Sequence, residues 1–248
     1  MKSIDIFDDE RLDRVNEKIT LIQKKDGLTF GTDAFLLASF IKPLRTARAA
    51  ELGAGTGIIS FLLAARDKFS HISAFEIQDD FASLAQRNAT LNGLDERVEI
   101  ICRDVRELRS HELGEYDAVF TNPPYMKTEC GKRNDSDRKY IARHEVCGGI
   151  NDFCAAAYRL LKHGGKFYCV WRPDRLCDLI CAMRDNRLEP KIMTFVSATA
   201  NTEPSMVLVS ATKGGASGMK LTSPLILYRE GTNELSQQAQ IIYHTLSF

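Results

Sequence analysis

The chain has 248 residues, 44% hydrophobic and 27% charged, the proportions of a globular protein long enough for one large α/β domain. Its 33 basic and 33 acidic residues cancel, so no global field draws it to nucleic acid or membrane, and a polyanion must be met by a local patch. Seven scattered cysteines without a CxxC pair argue against a zinc site and for reduced thiols in a cytoplasmic protein; residues 1–18 lack the apolar core of a signal peptide, and the longest apolar run, 58–65, is too short to span a bilayer.

In chain order, residues 19–30 predict two short strands around a Lys-Asp-Gly turn, and GTDAFLLASFI, from Gly31, predicts a helix capped by Thr32 or Asp33. Residues 1–45 thus read as a hairpin and helix extension. From Ala47 onward strands and helices alternate: strand 47–53, helix 57–67, strand 71–77, an amphipathic helix 79–93 ending at Gly93, and strands 98–104 and 116–122. Helix 151–162 leads through Gly164-Gly165 to strand 166–171, and helix 174–186 follows. The β-branched runs 191–196 and 205–213 predict an antiparallel edge pair. This order predicts a single α/β domain over 1–248, with a mostly parallel, seven-stranded sheet and helices on both faces. Residues 127–143 are polar and unpatterned, a long functional or disordered loop.

The turn ELGAGTG, residues 51–57, follows the first core strand and opens a helix. Gly53, Gly55 and Gly57 let the backbone turn tightly and pass close to a ligand, and the helix start offers N–H groups. Glu76 closes the next strand, nineteen residues past Gly57, where a carboxylate can take both hydroxyls of a ribose; alone it reads as a solvated strand-end acid. Dinucleotides and S-adenosylmethionine both suit such an array. The third glycine comes one residue earlier than in GxGxxG, and Glu51 would repel a pyrophosphate but attract an ammonium group. Asp104 suits either an adenine amino group or the cap of a helix over 105–109.

Strand 116–122 runs into Asn122-Pro123-Pro124-Tyr125, where two prolines forbid its continuation. A plain turn accounts for that. With the glycine loop upstream, however, ELGAGTG, FEI, RDV and TNPPY resemble, in order and spacing, the class I S-adenosylmethionine-dependent methyltransferases that modify amino groups. GTDAFLLASF, TNPPYM, IARHE and RPDRL narrow the resemblance to the bacterial tRNA1(Val) adenine-37 N6-methyltransferase family. That family usually opens the loop with Asp-Leu-Gly; Glu51 keeps the charge on a longer arm.

The resemblance implies a Rossmann-like class I fold and S-adenosyl-L-methionine as cofactor, with no metal. It implies a cofactor site of Thr32, Asp33, Glu51, Gly53, Gly55, Gly57, Glu76, Ile77, Asp104, Val105 and Asn122, with Thr32 and Asp33 over the methionine end. It implies catalysis by Asn122, Pro123, Pro124 and Tyr125: the Asn122 side-chain oxygen and Pro123 carbonyl accept from the adenine amine, the prolines fix that carbonyl, and Tyr125 stacks on a splayed-out base. Lys127, Lys132, Arg133, Arg138, Lys139 and Arg143 outnumber Glu129, Asp135 and Asp137 by three; with Arg172 and Arg175 they read as a phosphate-contacting rim for tRNA, or else as a solvated loop. A monomer is expected.

Glutamine methyltransferases share NPPY but carry a helical N-terminal substrate domain, and DNA adenine methyltransferases add a target-recognition domain; about forty residues precede the first core strand here. Guanine N2-methyltransferases of ribosomal RNA remain close in architecture. A dinucleotide-dependent oxidoreductase is the alternative from another class.

Overall fold

The computed structural model describes residues 4–26, 31–123 and 148–245. A hairpin of β1 (Glu10–Arg14) and β2 (Thr20–Lys24) precedes helix α1 (Thr32–Phe40). The alternating core follows: β3 (Leu44–Leu52), α2 (Ile58–Ala64), β4 (Phe69–Glu76), α3 (Asp79–Leu91), β5 (Val98–Cys102), the short α4 (Ser110–Leu113) and β6 (Tyr116–Thr121). Then come α5 (Ile150–Leu160), β7 (Leu161–Trp171), α6 (Leu176–Asp185), β8 (Leu188–Ser197), β9 (Pro204–Lys213), the two-residue strands β10 (Lys220–Leu221) and β11 (Leu225–Ile226), and α7 (Gln237–Thr245).

The central sheet runs β5-β4-β3-β6-β7-β9-β8, and both β10 and β11 pair with β8. The expected seven strands are there, with the two short ones added on the β8 side. The β8–β9 pair is antiparallel as expected, but β8 is flanked in parallel by β10 and β11 and is not a bare edge. Among the described strands β9 runs against the rest, antiparallel to both β7 and β8. The start of β9 therefore lies at the same end of the sheet as the last residues of β3, β4, β6 and β7. In open sheets of this kind ligands bind beyond the carboxyl ends of the strands.

Two apolar clusters cover the two faces. One gathers α1, α2 and α7 around Phe40, Phe61 and Phe120; the other gathers α5 and α6 around Phe153, Leu160 and Leu179. Helix α1 is apolar all round, and Ala34 through Phe40 are all buried, as a helix enclosed by protein requires. Its one buried hydroxyl, Ser39, donates to the Phe35 carbonyl at 2.7 Å. Lys68 closes the other end of α1: its ammonium donates to the carbonyls of Ala38 and Ile41, both at 2.8 Å.

The N-terminal hairpin differs from the expectation. Strand β2 lies within the stretch read as a strand, but its partner is the upstream β1, with Leu12 opposite Ile22. The charged sequence ERLDR hid that strand. The expected downstream partner, after the Lys-Asp-Gly turn, lies outside the described residues. The other edge of β2 is met by α3, where Asn88 and Asn92, one turn apart, act as a substitute strand. Asn88 accepts from Ile22 N at 2.7 Å and donates to Ile22 O at 3.2 Å; Asn92 accepts from Thr20 N at 2.9 Å and donates to Thr20 O at 2.8 Å. Glu10, buried on β1, adds an ion pair to Arg87 of α3 at 2.7 Å.

Candidate active site

The glycine loop joins β3 to α2. Gly55 donates its N–H to Glu76 at 2.7 Å, and Gln78 N donates to the second Glu76 oxygen at 2.9 Å. Glu76 is thus a loop anchor at the end of β4, and each of its oxygens keeps a further lone pair. A Cβ on Gly55 would point into open space, the cradle that a ligand over the loop needs. Gly57 caps α2 with φ of +86°, and a Cβ there would lie 2.6 Å from the Phe61 ring, so only glycine serves.

Glu51 sits beneath this loop and is only 1% exposed. One of its oxygens accepts from the Ser60 hydroxyl at 2.5 Å and from Ser60 N, in the first turn of α2, at 3.1 Å. Burial pushes the Glu51 carboxyl up to about 8, against the lowering effect of the two Ser60 bonds, and nearby Glu76 adds to the rise. A pyrophosphate needs the N–H groups at the helix start, and here the chain's own carboxyl already takes one of them. Glu51 points one oxygen at Ser60, so it bears directly on the loop.

At the end of β5, Asp104 caps the 3₁₀ turn Val105–Glu107: its side chain accepts from Arg106 N at 2.8 Å and pairs with the Arg106 guanidinium. The capping alternative for Asp104 is therefore present. Val105 is buried behind it, and Ile77 is half-buried beside Glu76.

Asn122 follows β6 directly. Thr121 fixes this strand end by donating its hydroxyl to the Leu52 carbonyl at 2.8 Å. The Asn122 amide then donates from Nδ2 to Oδ2 of Asp33, in the first turn of α1, at 2.8 Å. A carboxylate only accepts, so the bond fixes which end of the amide is which and aims the Asn122 oxygen away from Asp33. Neither Thr32 nor Asp33 caps α1 as expected; Gly31 does, with no side-chain bond. Gly31 has a second use: a Cβ there would lie 2.6 Å from Asp33 Oδ1, so its absence leaves room for that carboxylate. The ring of Tyr243, from α7, lies 5.1 Å from that of Phe35, centroid to centroid. No sequence signal joins residues about two hundred positions apart.

Pro123 is buried. Pro124, Tyr125, Lys127, Lys132, Arg133, Arg138, Lys139 and Arg143 lie outside the described residues. Arg172 and Arg175 are placed, and both are ion-paired within the chain. Arg172 holds Asp174 through two bonds of 3.0 and 2.7 Å, and Arg175 holds Asp178 at 2.7 Å. Among the described residues no group of three or more His, Cys, Asp or Glu could hold a metal ion, and no helix is long and apolar enough to cross a membrane.

The strand order and the crevice at the strand ends define a class: the Rossmann-like α/β fold of methyltransferases. A predicted O-methyltransferase from Agrobacterium tumefaciens has a similar structure, with a TM-score of 0.72 at 25% identity, covering 87% of this chain and 97% of that one. The 16S rRNA methyltransferase RsmC of T. thermophilus, solved with AdoMet and guanosine, shares the fold with a TM-score of 0.56 at 15% identity, over 82% of this chain and 50% of that one. Residues 24–178 match the Methyltransferase small domain family, and the chain belongs to it. Relatives named tRNA1(Val) (adenine(37)-N6)-methyltransferase are similar: that of Parabacteroides distasonis is 27% identical over 78% of this chain and 80% of its own length, and that of Aeromonas hydrophila 29% identical over 74% and 76%.

Proposed function

We propose that this chain transfers the methyl group of S-adenosylmethionine to N6 of an adenosine in tRNA, in its finer form position 37 of a valine tRNA. The observation that carries the reading is the Asn122 amide, oriented by Asp33 at the end of β6 next to a glycine loop built without a phosphate nest. The tRNA methyltransferase relatives indicate the substrate. We also read residues 1–248 as one catalytic unit, with 1–45 as its extension, acting in the cytoplasm as a monomer.

Bound over the glycine loop, the cofactor supplies a sulfonium-activated methyl group. Gly53, Gly55 and Gly57 would give it backbone contact, Glu76 and Ile77 its ribose and adenine environment, and Val105 an apolar wall. Asp104 would receive the adenine amino group while still capping its turn. Thr32 and Asp33 stand at the methionine end, and Glu51 acts from below through Ser60. The chain's chemical task is to make the adenine amine nucleophilic. Its lone pair is delocalised into the ring, and two acceptors draw it out: the Asn122 oxygen and the Pro123 carbonyl. Both also meet the positive charge that develops on nitrogen as the methyl arrives. Pro124 stiffens the turn, Tyr125 offers a stacking face, and the bases between Lys127 and Arg143, with Arg172, serve the RNA backbone.

Calorimetry with S-adenosylhomocysteine and NAD tests the cofactor: the first should bind and the second should not. Methyl transfer to purified tRNA, and to the same tRNA with the target adenosine replaced, tests the substrate. Transfer that survives the replacement would refute the site, and binding of NAD alone would refute the class.

A further inference from the structure

The two edges of the N-terminal hairpin are finished differently. The edge of β2 is closed by Asn88 and Asn92 of α3, whereas among the described strands β1 has no partner besides β2, so its far edge is open. The ladder fixes which groups line that edge. Lys25 N donates to Asp9 O and Val15 N to Ile19 O, so the odd-numbered residues of β1 turn their backbone groups towards β2. The N–H and C=O of Leu12, the N–H of Arg14 and the C=O of Glu10 therefore face outwards, while Glu10 N donates to Phe7 O. Such an edge is a template for another strand, and the Leu12 side chain beside it is 49% exposed.

The side chains of β1 select the strand that fits. Its sequence ERLDR is antisymmetric in charge about Leu12: Glu10 mirrors Arg14, and Arg11 mirrors Asp13. Laid antiparallel on a second copy, Leu12 opposite Leu12, Arg11 faces Asp13 of the second copy and Glu10 faces its Arg14, each pair twice over. The backbone agrees with this register. The outward groups of the two Leu12 residues exchange two hydrogen bonds, and Arg14 N meets Glu10 O on either side. The neighbouring registers that keep the same bonding, two residues away, set Arg11 opposite Arg11 or Asp13 opposite Asp13, and like charges directly opposite repel. Within one chain Arg11 and Asp13 already hold each other at 3.0 Å. Two copies would join these ion pairs into a ring of four alternating charges.

We infer that β1 is a docking edge for a second copy of this chain: Glu10–Arg14 of two copies pair antiparallel about a twofold axis at Leu12, joining the two hairpins into one four-stranded sheet. The edge is short, so the association is weak and reversible. The inference goes beyond the activity proposed above. Each copy keeps its own site, and the single chain stays the catalytic unit.

Sedimentation velocity of the full chain tests it, at concentrations from about 10 μM to about 1 mM, the range that suits a small interface. The wild type should pass from monomer towards dimer as concentration rises. Arg11→Asp and Asp13→Arg each set like charges opposite one another, and each alone should weaken self-association at least about tenfold. An equal mixture of the two variants should recover it, because every substituted position then faces an opposite charge. Mixing leaves the Arg11–Asp13 ion pair within each chain broken, so recovery separates pairing between copies from a local change of fold. The double variant, Arg11→Asp with Asp13→Arg, restores that internal pair and should associate like the wild type. A wild type that stays monomeric throughout, or dimers that persist in both single variants, would overturn the inference. So would a mixture and a double variant that associate no better than the single variants.

Discussion

Asp33 and Asn122 lie 89 positions apart and meet through one hydrogen bond of 2.8 Å, from the Asn122 amide nitrogen to the Asp33 carboxylate. Asp33 opens a helix that precedes the whole parallel core, and Asn122 ends the core's fourth strand. The bond gives Asp33 the role of orienting an amide that otherwise turns about its terminal torsion at little cost. Asp33→Ala should therefore lower kcat about 100-fold, the scale of a misplaced catalytic group, while KM for tRNA changes little. Asp33→Asn, which can still accept from Nδ2, should recover part of the loss. Steady-state kinetics of the two variants decide it; a rise in KM at unchanged kcat would assign Asp33 to binding alone.

Gly31→Ala tests the same geometry from behind. The backbone at Gly31, with φ of −101° and ψ of 179°, suits alanine, so the fold has no reason to suffer. The new Cβ would stand 2.6 Å from Asp33 Oδ1 and must displace it. The variant should melt like the wild type and turn over more slowly. Unchanged turnover would show that the Asp33 position does not matter.

Glu51 makes stability fall with rising pH. Its folded carboxyl titrates near about 8 and the unfolded one near 4.5, so the folded chain holds the extra proton between these values. The contribution is full below pH 4.5 and is lost as pH rises to 8, in total on the order of 5 kcal/mol. Glu51→Gln keeps the neutral shape and should flatten this slope in urea melts between pH 5 and 8. An equal slope in both proteins would contradict the buried, protonated Glu51.

Glu10 works in the opposite direction. The Arg87 hydrogen bond, helped by Phe7 N and Lys24, holds its carboxyl near about 2 against the cost of burial. Its stabilisation is present above pH 4.5 and is lost as pH falls through 2. Glu10→Gln should remove this acid-side decline and raise amide exchange in β1 and β2 at neutral pH. Unchanged exchange would mean that the asparagines of α3 hold the hairpin alone.

The parallel core was legible because each buried strand is a short apolar run punctuated by glycine, proline or an acid: β5 and β6 lie within the expected stretches, while β3 and β4 overlap theirs but begin earlier, at Leu44 and Phe69. The β1 strand was not legible: ERLDR carries the composition of a solvated loop, and its pairing depends on β2, which α3 in turn holds through Asn88 and Asn92. The same limit applies to the site. Asp33 and Asn122 each stand out in a motif, yet their bond is a product of how α1 packs against the sheet. The bond of Glu51 to Ser60 was likewise not legible, because it depends on how α2 seats above the end of β3.

The central claim is methyl transfer to the adenine amine. The most direct measurement is mass spectrometry of nucleosides from unmodified tRNA incubated with the protein and S-adenosylmethionine bearing a deuterated methyl group. The label should appear in N6-methyladenosine and drop at least about 100-fold with Asn122→Ala, the scale of losing one transition-state hydrogen bond. Label in N2-methylguanosine, or undiminished label with Asn122→Ala, would contradict it.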